Sequence, residues 1–373
     1  MDIEKLLEEM VRRKASDIYI TTGVPVTYRI EDDLTVSDKY KEPLGREQIQ
    51  ELAFSLMSDR QKEAFVRERE LNSALSYPGL GRFRVNMCYQ RSSIGLVIRH
   101  VKHRVMSFTE LGLPPILGDI SMSRRGLVLV VGTAGSGKST TLAAMVDYRA
   151  SNASGHIVTV EDPIEFLYTH KRSIVTQREV GTDTHSYGDA LRNAFRQAPD
   201  VILIGEIRDT ETMEAALSFA ETGHLCMSTL HANNANQAIE RILTFFPAAM
   251  HEQVYVLLSL NLRAIVSQRI VPTTTGGSRV AAMEILLDTP RVKDLIHKRE
   301  VELLKETMAK GNQEGMFTFD QSLFELFKGG QISYETALSH ADGMSDLRLR
   351  IKTEGLMKES KGTRKSSFKL KTT

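Results

Sequence analysis

The sequence has few of the residues that mark disulfide-bonded, zinc-binding or membrane-spanning chains. Its only cysteines, Cys88 and Cys226, lie far apart and in no C-x-x-C pair. This argues against a disulfide framework and a zinc ribbon, and it fits a reducing cytosol. No run approaches about 18 consecutive apolar residues, so we expect no membrane span. No uninterrupted apolar stretch follows Met1–Lys5, so we expect no signal peptide.

An excess of charge of one sign is also missing. Lys and Arg number 48 and Asp and Glu number 47, which gives a formal net charge of +1. This balance offers no global electrostatic case for a nucleic-acid partner. The 373 residues, 41% of them hydrophobic, are enough for two or three globular domains with real cores.

The clearest positive feature is the stretch Gly132–Ser139, which matches the phosphate-binding pattern G-x-x-x-x-G-K-[ST] at every fixed position. The run 126–131 before it is typical of a buried strand, and 140–149 after it is typical of a helix. In that context, backbone N–H groups and a helix N-terminus surround phosphate oxygens. The sequence therefore predicts a nucleoside triphosphate site, against the alternative of a glycine-rich turn that binds nothing.

Each position of this loop has an expected role. Lys138 would reach the β- and γ-phosphates, and Ser139 would ligate Mg²⁺. The residues predicted to contact the nucleotide are Gly132, Thr133, Ala134, Gly135, Ser136, Gly137, Lys138, Ser139 and Thr140.

Patterns of apolar residues divide the chain into an α+β region, residues 1–102, and an α/β region, residues 119–355. A linker with Gly and Pro is expected at 103–118, and a basic disordered tail at 356–373. In the first region we expect helices at 3–13 and near 46–68, and strands at 18–20, around 25–30, and as a pair within 81–99.

The second region alternates apolar runs with helical stretches, which is typical of a mainly parallel sheet. The predicted strands are 127–131, 156–160, 201–205 and 225–230. The predicted helices are 210–220, 249–268, 290–299, 301–310 and 318–328.

Ligands of parallel α/β sheets bind beyond the carboxyl ends of the strands. Here those ends carry the phosphate loop, the stretch Glu161–Glu165, then Glu206, and then His231. Glu206 should act at Mg²⁺ or its water shell, so Ser139 and Glu206 are the predicted metal residues. Either Glu165 or Glu161 could polarise the attacking water, and His231 could sense the γ-phosphate.

Each of these side chains also has a plain alternative. A carboxylate at a strand end can be a solvated loop residue, and His231 can be a structural histidine. Asp200 begins a strand roughly 20 Å from the phosphates, so we expect a structural cap there.

No arginine near these strand ends is an obvious partner for the γ-phosphate. Arg82, Arg84 and Arg99 lie in the first region. A neighbouring subunit supplies the arginine in many ring-shaped ATPases, so Arg82 and Arg84 are candidate catalytic residues. The alternative is that they are surface arginines of a β-strand.

The combined motifs resemble the secretion-superfamily ATPases, and within them the PilT/PilU branch of type IV pilus retraction motors. The likeness extends from Ser16 to about Lys352. The motifs that carry it are Gly132–Thr141, Val160–Phe166, Thr176–Gly181, Gln197–Glu206 and Ala220–Leu225. Three stretches resemble the PilU type more than the PilT type: Ser228–Ala238, Leu258–Leu262 and Met316–Gln321.

The resemblance implies a PAS-like N-terminal domain, a RecA-like ATPase domain and a homohexamer that hydrolyses ATP. It makes Glu165 the catalytic glutamate, Glu206 the Walker B acid, and His224 and His231 a His-box pair. It further implies a cytoplasmic motor at the inner membrane that contacts a pilus platform protein and assists a PilT-like ATPase. Two other classes stay open: a non-catalytic or weakly catalytic coupling subunit, and a DNA-translocating ATPase, against which the charge balance argues.

Overall fold

The computed structural model describes residues 1–31, 33–101 and 104–355. The predicted tail at 356–373 and the predicted boundary at 102–103 lie outside the described residues. Within them the chain forms two β-sheets, one antiparallel and one mainly parallel. No helix of this part of the chain has the length and apolar character to cross a bilayer.

The first sheet has the order β3-β2-β1-β6-β5-β4, and its neighbouring strands are antiparallel. Helix α1 places Leu6, Leu7 and Met10 on one buried face, and Asp2 caps its N-terminus. The strands and helices of this first region are β1 (Asp17–Ile20), β2 (Thr27–Ile30), β3 (Asp33–Val36), β4 (Glu70–Tyr77), β5 (Gly81–Gln90), β6 (Ser93–His100), α1 (Ile3–Arg12), α2 (Arg46–Ser55) and α3 (Asp59–Glu68).

The second sheet has the order β13-β12-β7-β11-β10-β8-β9, and only β13 runs antiparallel to its neighbour. Every residue of β7, β10 and β11 is buried, which explains why β7 and β10 are unbroken apolar runs and why β11 has only Ser228 and Thr229 among apolar residues. The strands are β7 (Gly126–Val131), β8 (Gly155–Glu161), β9 (Ser173–Glu179), β10 (Val201–Ile204), β11 (Leu225–Leu230), β12 (Leu262–Pro272) and β13 (Arg279–Leu287).

Helices pack around this sheet, and the last three form a small separate cluster against β12 and β13 around Phe319 and Phe324. The helices are α4 (Ile116–Ser121), α5 (Lys138–Asn152), α6 (Tyr187–Ala194), α7 (Thr210–Glu221), α8 (Ala235–Leu243), α9 (His251–Asn261), α10 (Pro290–Lys298), α11 (Leu304–Lys310), α12 (Phe319–Lys328), α13 (Tyr334–Ser339) and α14 (Met344–Thr353).

The predicted α/β class with a mainly parallel sheet is confirmed, and so are the four strands predicted within it. The prediction of one helix over 249–268 is wrong in its second half. Helix α9 ends at Asn261, and 262–272 is the buried strand β12. A short apolar run such as 264–266 fits a buried helix and a buried strand equally well, so periodicity cannot separate them.

Other differences lie at element boundaries. The helix predicted near 46–68 is two helices, because Ser58 caps a new helix with a capping box that includes Gln61. Strands β3, β4, β9 and β13 were not predicted. The linker predicted at 103–118 overlaps α4, and its Leu113 and Leu117 are buried in the core of the second sheet.

Candidate nucleotide site

Two glycines allow the loop after β7 to turn tightly into α5. Gly137 has a φ of 84°, and a Cβ on Gly132 would lie 2.4 Å from Ser136 Oγ and 2.5 Å from the carbonyl oxygen of Gln268. Only glycine fits such close backbone approaches. Gln268 is buried on β12, and its Oε1 accepts a hydrogen bond of 2.7 Å from Thr141 in α5. Sequence reasoning missed this support because that segment was predicted to be helical.

The loop has the features of an anion cradle. Helix α5 begins at Lys138, so its first N–H groups have no partners within the helix and face the loop. Lys138 Nζ donates hydrogen bonds of 2.9 Å to the carbonyl oxygens of Gly132 and Thr133. Among the described residues, the buried Ser136 Oγ has no hydrogen-bond partner. A phosphate oxygen fits this donor set.

A cavity of about 220 Å³ opens beside the start of α5. It collects side chains from the carboxyl ends of four strands, as the sequence predicts. Its lining includes Lys138, Ser139, Glu161, Asp162, Glu165, Glu206, Thr229 and His231. His231 also borders a neighbouring groove with Gly132, Thr133 and Ala134. Thr140 is half-buried and does not line the cavity.

Charges in the cavity are coupled to one another. Burial lowers the pKa of the Lys138 ammonium, and the carboxylates of Glu206 and Glu165 act in the opposite direction. His231 Nε2 lies 3.2 Å from Glu206 Oε1, a distance that allows an ion pair when the imidazole is protonated. The site therefore places one cation among acidic side chains, an arrangement that suits a negatively charged ligand bound with a metal ion.

The two candidate water-activating carboxylates have different environments. Glu161 is 8% exposed, and burial raises its pKa to about 7. Its Oε1 already accepts hydrogen bonds from Thr159 Oγ1 and Gln177 Nε2, at 2.7 and 3.2 Å. Glu165 is exposed at the cavity. A carboxylate that accepts a proton from water must be ionised and accessible, so the geometry favours Glu165.

Ser139 and Glu206 both line the cavity, and both offer the oxygen ligands that Mg²⁺ prefers. No group of three or more His, Cys, Asp and Glu side chains in the described residues is arranged to hold a metal ion alone. The donor set therefore fits Mg²⁺ held jointly with phosphate oxygens.

Asp200 and His224 lie at the opposite edge of the sheet, the amino edge, where the parallel strands begin. Asp200 Oδ2 accepts a hydrogen bond of 2.8 Å from the backbone N–H of His156. His224 precedes β11 and packs edge-on against Phe195 and Phe219. Seven residues of extended chain separate it from His231, a distance of roughly 20 Å. The implied His-box pair is thus split between the two edges.

Two arginines of strand β5, Arg82 and Arg84, contact Glu179 and Ile164 of the same chain. Arg82 NH2 lies 3.3 Å from Glu179 Oε2, and Arg84 Nε donates a hydrogen bond of 3.1 Å to the carbonyl oxygen of Ile164. Both arginines are half-buried, so they are not freely exposed surface arginines. Neither lines the cavity that contains Lys138.

Another cation, Arg208, pairs with a carboxylate that lines the cavity. Arg208 NH2 lies 2.6 Å from Asp162 Oδ2, and its guanidinium lies over the ring of Tyr187. It ties the segment after β10 to the segment after β8. No sequence signal identified this pairing, because it depends on which strands are neighbours.

Comparisons with known proteins agree with this geometry. Residues 1–312 match the family described as Type II/IV secretion system protein. The chain is 52% identical to the type IV pilus ATPase PilU of Pseudomonas aeruginosa, over 94% of this chain and 92% of that protein. It is 40% identical to the type IV pilus retractation ATPase PilT of the same organism, over 91% and 98% of the two chains.

Solved structures give the same result. A crystal structure of the pilus retraction motor PilT with bound ADP covers 94% of this chain and 99% of its own, with a TM-score of 0.86 and 40% identity. The ATPase DotB of Legionella pneumophila gives a TM-score of 0.71 at 25% identity, over 90% and 94% of the chains. The second sheet and its helices are accordingly a RecA-like ATPase fold. From its motifs, its fold and these relatives, the chain belongs to the Type II/IV secretion system ATPase family.

Proposed function

We propose that the protein is an ATP-hydrolysing hexameric motor that supports type IV pilus retraction, and so twitching motility, as an accessory to a PilT-like ATPase. The observation that carries the proposal is the convergence of Lys138, Glu165, Glu206 and His231 on one cavity beside a complete phosphate loop. The likeness to PilU, which exceeds the likeness to PilT, supports the accessory role.

In the proposed reaction, the loop 132–140 binds the phosphates of ATP and Lys138 neutralises charge at the β- and γ-phosphates. Glu165 orients the attacking water and accepts its proton, while His231, 3.2 Å from Glu206, senses the γ-phosphate. Mg²⁺, held by Ser139 and at Glu206, would supply charge neutralisation on the phosphate oxygens.

The division into two domains, 1–102 and 119–355, forms part of this proposal and is supported by two separate hydrophobic cores. Relative movement of the domains around a ring would act on an inner-membrane platform protein from the cytoplasmic side. The proposal includes no nucleic-acid partner and no segment inserted in the membrane.

Steady-state hydrolysis of Mg²⁺-ATP by the purified chain, measured across protein concentrations, tests the proposal. We expect turnover per chain to rise as the protein assembles and to be lost in Glu206→Gln. Bound ATP with no turnover at any concentration would instead support a non-catalytic coupling subunit. A retraction assay with Lys138→Ala separates the two further, since a coupling subunit would retain its effect.

A further inference from the structure

The segment 162–168, which carries Glu165, has neither helix nor extended strand to fix its shape. Side chains of strand β9 hold its backbone instead. Gln177 donates to the carbonyl oxygen of Phe166 and accepts from the N–H of Tyr168, both at 2.9 Å. Glu179 Oε2 accepts from the N–H of Ile164 at 3.2 Å. Residues 177 and 179 share one face of the strand, so they form hydrogen bonds with the backbone of alternate residues of the segment, 164, 166 and 168.

The contact of Glu179 is the more costly of the two to form, because it places a carboxylate in a residue that is only 5% exposed. A buried carboxylate is tolerated when hydrogen bonds and a cation satisfy it. Its Oε1 accepts from Thr182 Oγ1 at 3.2 Å, and its Oε2 accepts from Ile164 N–H and faces Arg82 NH2 at 3.3 Å. The described surroundings therefore satisfy both oxygens, and the cation comes from the other sheet.

Arg84 binds the other polar backbone group of Ile164. Its guanidinium donates to the carbonyl oxygen of Ile164, while Glu179 accepts from the N–H of that residue. Both polar groups of the residue before Glu165 are thus bound, one by β9 and one by β5. A displacement of the first sheet would remove the hydrogen bond to the carbonyl oxygen of Ile164 and the cation beside Glu179 together, and it would leave Ile164 held by Glu179 alone.

We propose that Glu179 is a positioning residue for hydrolysis: its carboxylate fixes the segment that carries Glu165, and its ion pair with Arg82 makes that position depend on docking of the first sheet. The inference rests on the proposed role of Glu165 at the attacking water. Because Glu179 touches neither the phosphate loop nor the cavity, its loss should affect turnover and leave ATP binding nearly unchanged.

Glu179→Gln in the full chain tests the inference. We expect kcat to fall between about tenfold and a hundredfold, as for small misplacements of a catalytic group, with KM for ATP changed less than about threefold. Asp147→Asn is the matched control, because it removes a carboxylate that pairs with Lys171 at 2.7 Å, near the amino edge of the same sheet. That variant should retain wild-type kcat.

A double-mutant cycle with Glu165→Gln separates positioning from general damage. If Glu179 acts through Glu165, Glu179→Gln should change kcat less than about twofold once Glu165 is replaced. An equal loss of kcat in both backgrounds would overturn the positioning role. Wild-type turnover in Glu179→Gln beside a slow Glu165→Gln overturns the inference alone, whereas wild-type turnover in Glu165→Gln overturns the proposed role of Glu165 and the inference with it.

Arg82 provides a second route if Glu179→Gln fails to fold. Arg82→Gln should lower kcat in the same direction, and Arg82→Lys should restore part of it by returning the cation. Mixing Arg82→Ala with Lys138→Ala subunits then separates contacts within one chain from contacts between chains. No recovery of turnover at any ratio supports the contact within the chain, and recovery would show that Arg82 acts on a neighbouring subunit and overturn it.

Discussion

The two edges of the parallel sheet contain similar residues in different circumstances. At the amino edge, Asp200 accepts a hydrogen bond from the backbone of His156, and His224 packs edge-on against Phe195 and Phe219. At the carboxyl edge, the side chains of Glu206 and His231 lie 3.2 Å apart at the wall of a cavity that also contains a lysine. The amino-edge groups serve the fold, whereas the carboxyl-edge groups leave hydrogen-bonding capacity for a ligand. Residue type alone therefore does not separate a structural group from a site residue.

The strongest test of this comparison replaces a lysine at each edge. Lys138→Ala should abolish ATP binding or lower turnover by at least about a hundredfold, because the phosphates lose their buried cation. Lys171→Ala, which removes the ion pair with Asp147, should change turnover little. Binding of a fluorescent ATP analogue and steady-state kinetics would measure both. Wild-type activity in Lys138→Ala would refute the assignment of the site.

An acidic residue at each edge gives the next largest contrast. Glu206→Gln should bind ATP and hydrolyse it about a hundredfold more slowly, since a negative charge is lost beside His231 and at the proposed Mg²⁺ position. Asp200→Asn should retain turnover and lose some stability, because its oxygen accepts a backbone hydrogen bond. Turnover and thermal unfolding are measured for each variant. Loss of ATP binding in Glu206→Gln would indicate a structural residue instead.

Replacing the histidine at each edge should give a smaller difference in kcat. His231→Ala should lower kcat by about tenfold, the size expected when one hydrogen bond to a charged group is lost. His224→Ala should leave kcat per folded chain unchanged and lower the free energy of unfolding by about 1 kcal/mol, since its contacts are local. A tenfold loss of kcat in His224→Ala, with unfolding unchanged, would contradict the structural role.

Replacing Glu161 should have the smallest effect on catalysis and a clear effect on stability. Its pKa is raised from 4.5 to about 7, so between these values the folded protein retains a proton that the unfolded chain has lost. The free energy of unfolding therefore falls as pH rises from 4.5 to 7. Glu161→Gln, which can still accept from Thr159 and Gln177, should be more stable than wild type above pH 7, by up to about 3 kcal/mol.

Urea unfolding at pH 5 and pH 8 measures the change. The advantage of Glu161→Gln should be small at pH 5 and large at pH 8. Glu214→Gln, at an exposed position of α7, serves as the control and should show no such dependence. An equal advantage at both pH values would mean that the carboxyl does not titrate in this range.

By itself, the sequence determined the phosphate loop, the four parallel strands β7, β8, β10 and β11, and the order of polar residues at their ends. These features are local, because a tight loop needs glycine at fixed positions and a buried parallel strand is a mostly apolar run. It also placed Asp200 correctly, since the length of one strand is known from its residue count.

Tertiary structure decided which of these residues act together. Gln268 supports the loop from a strand that periodicity could not tell from a helix, and Glu179 meets Arg82 across 97 residues of sequence. The separation of His224 from His231, and the burial that raises the pKa of Glu161, likewise depend on which elements become neighbours. The residue pattern of one segment specifies its local conformation. Long-range contacts form when sheets and helices bury their apolar surfaces against one another and exclude water.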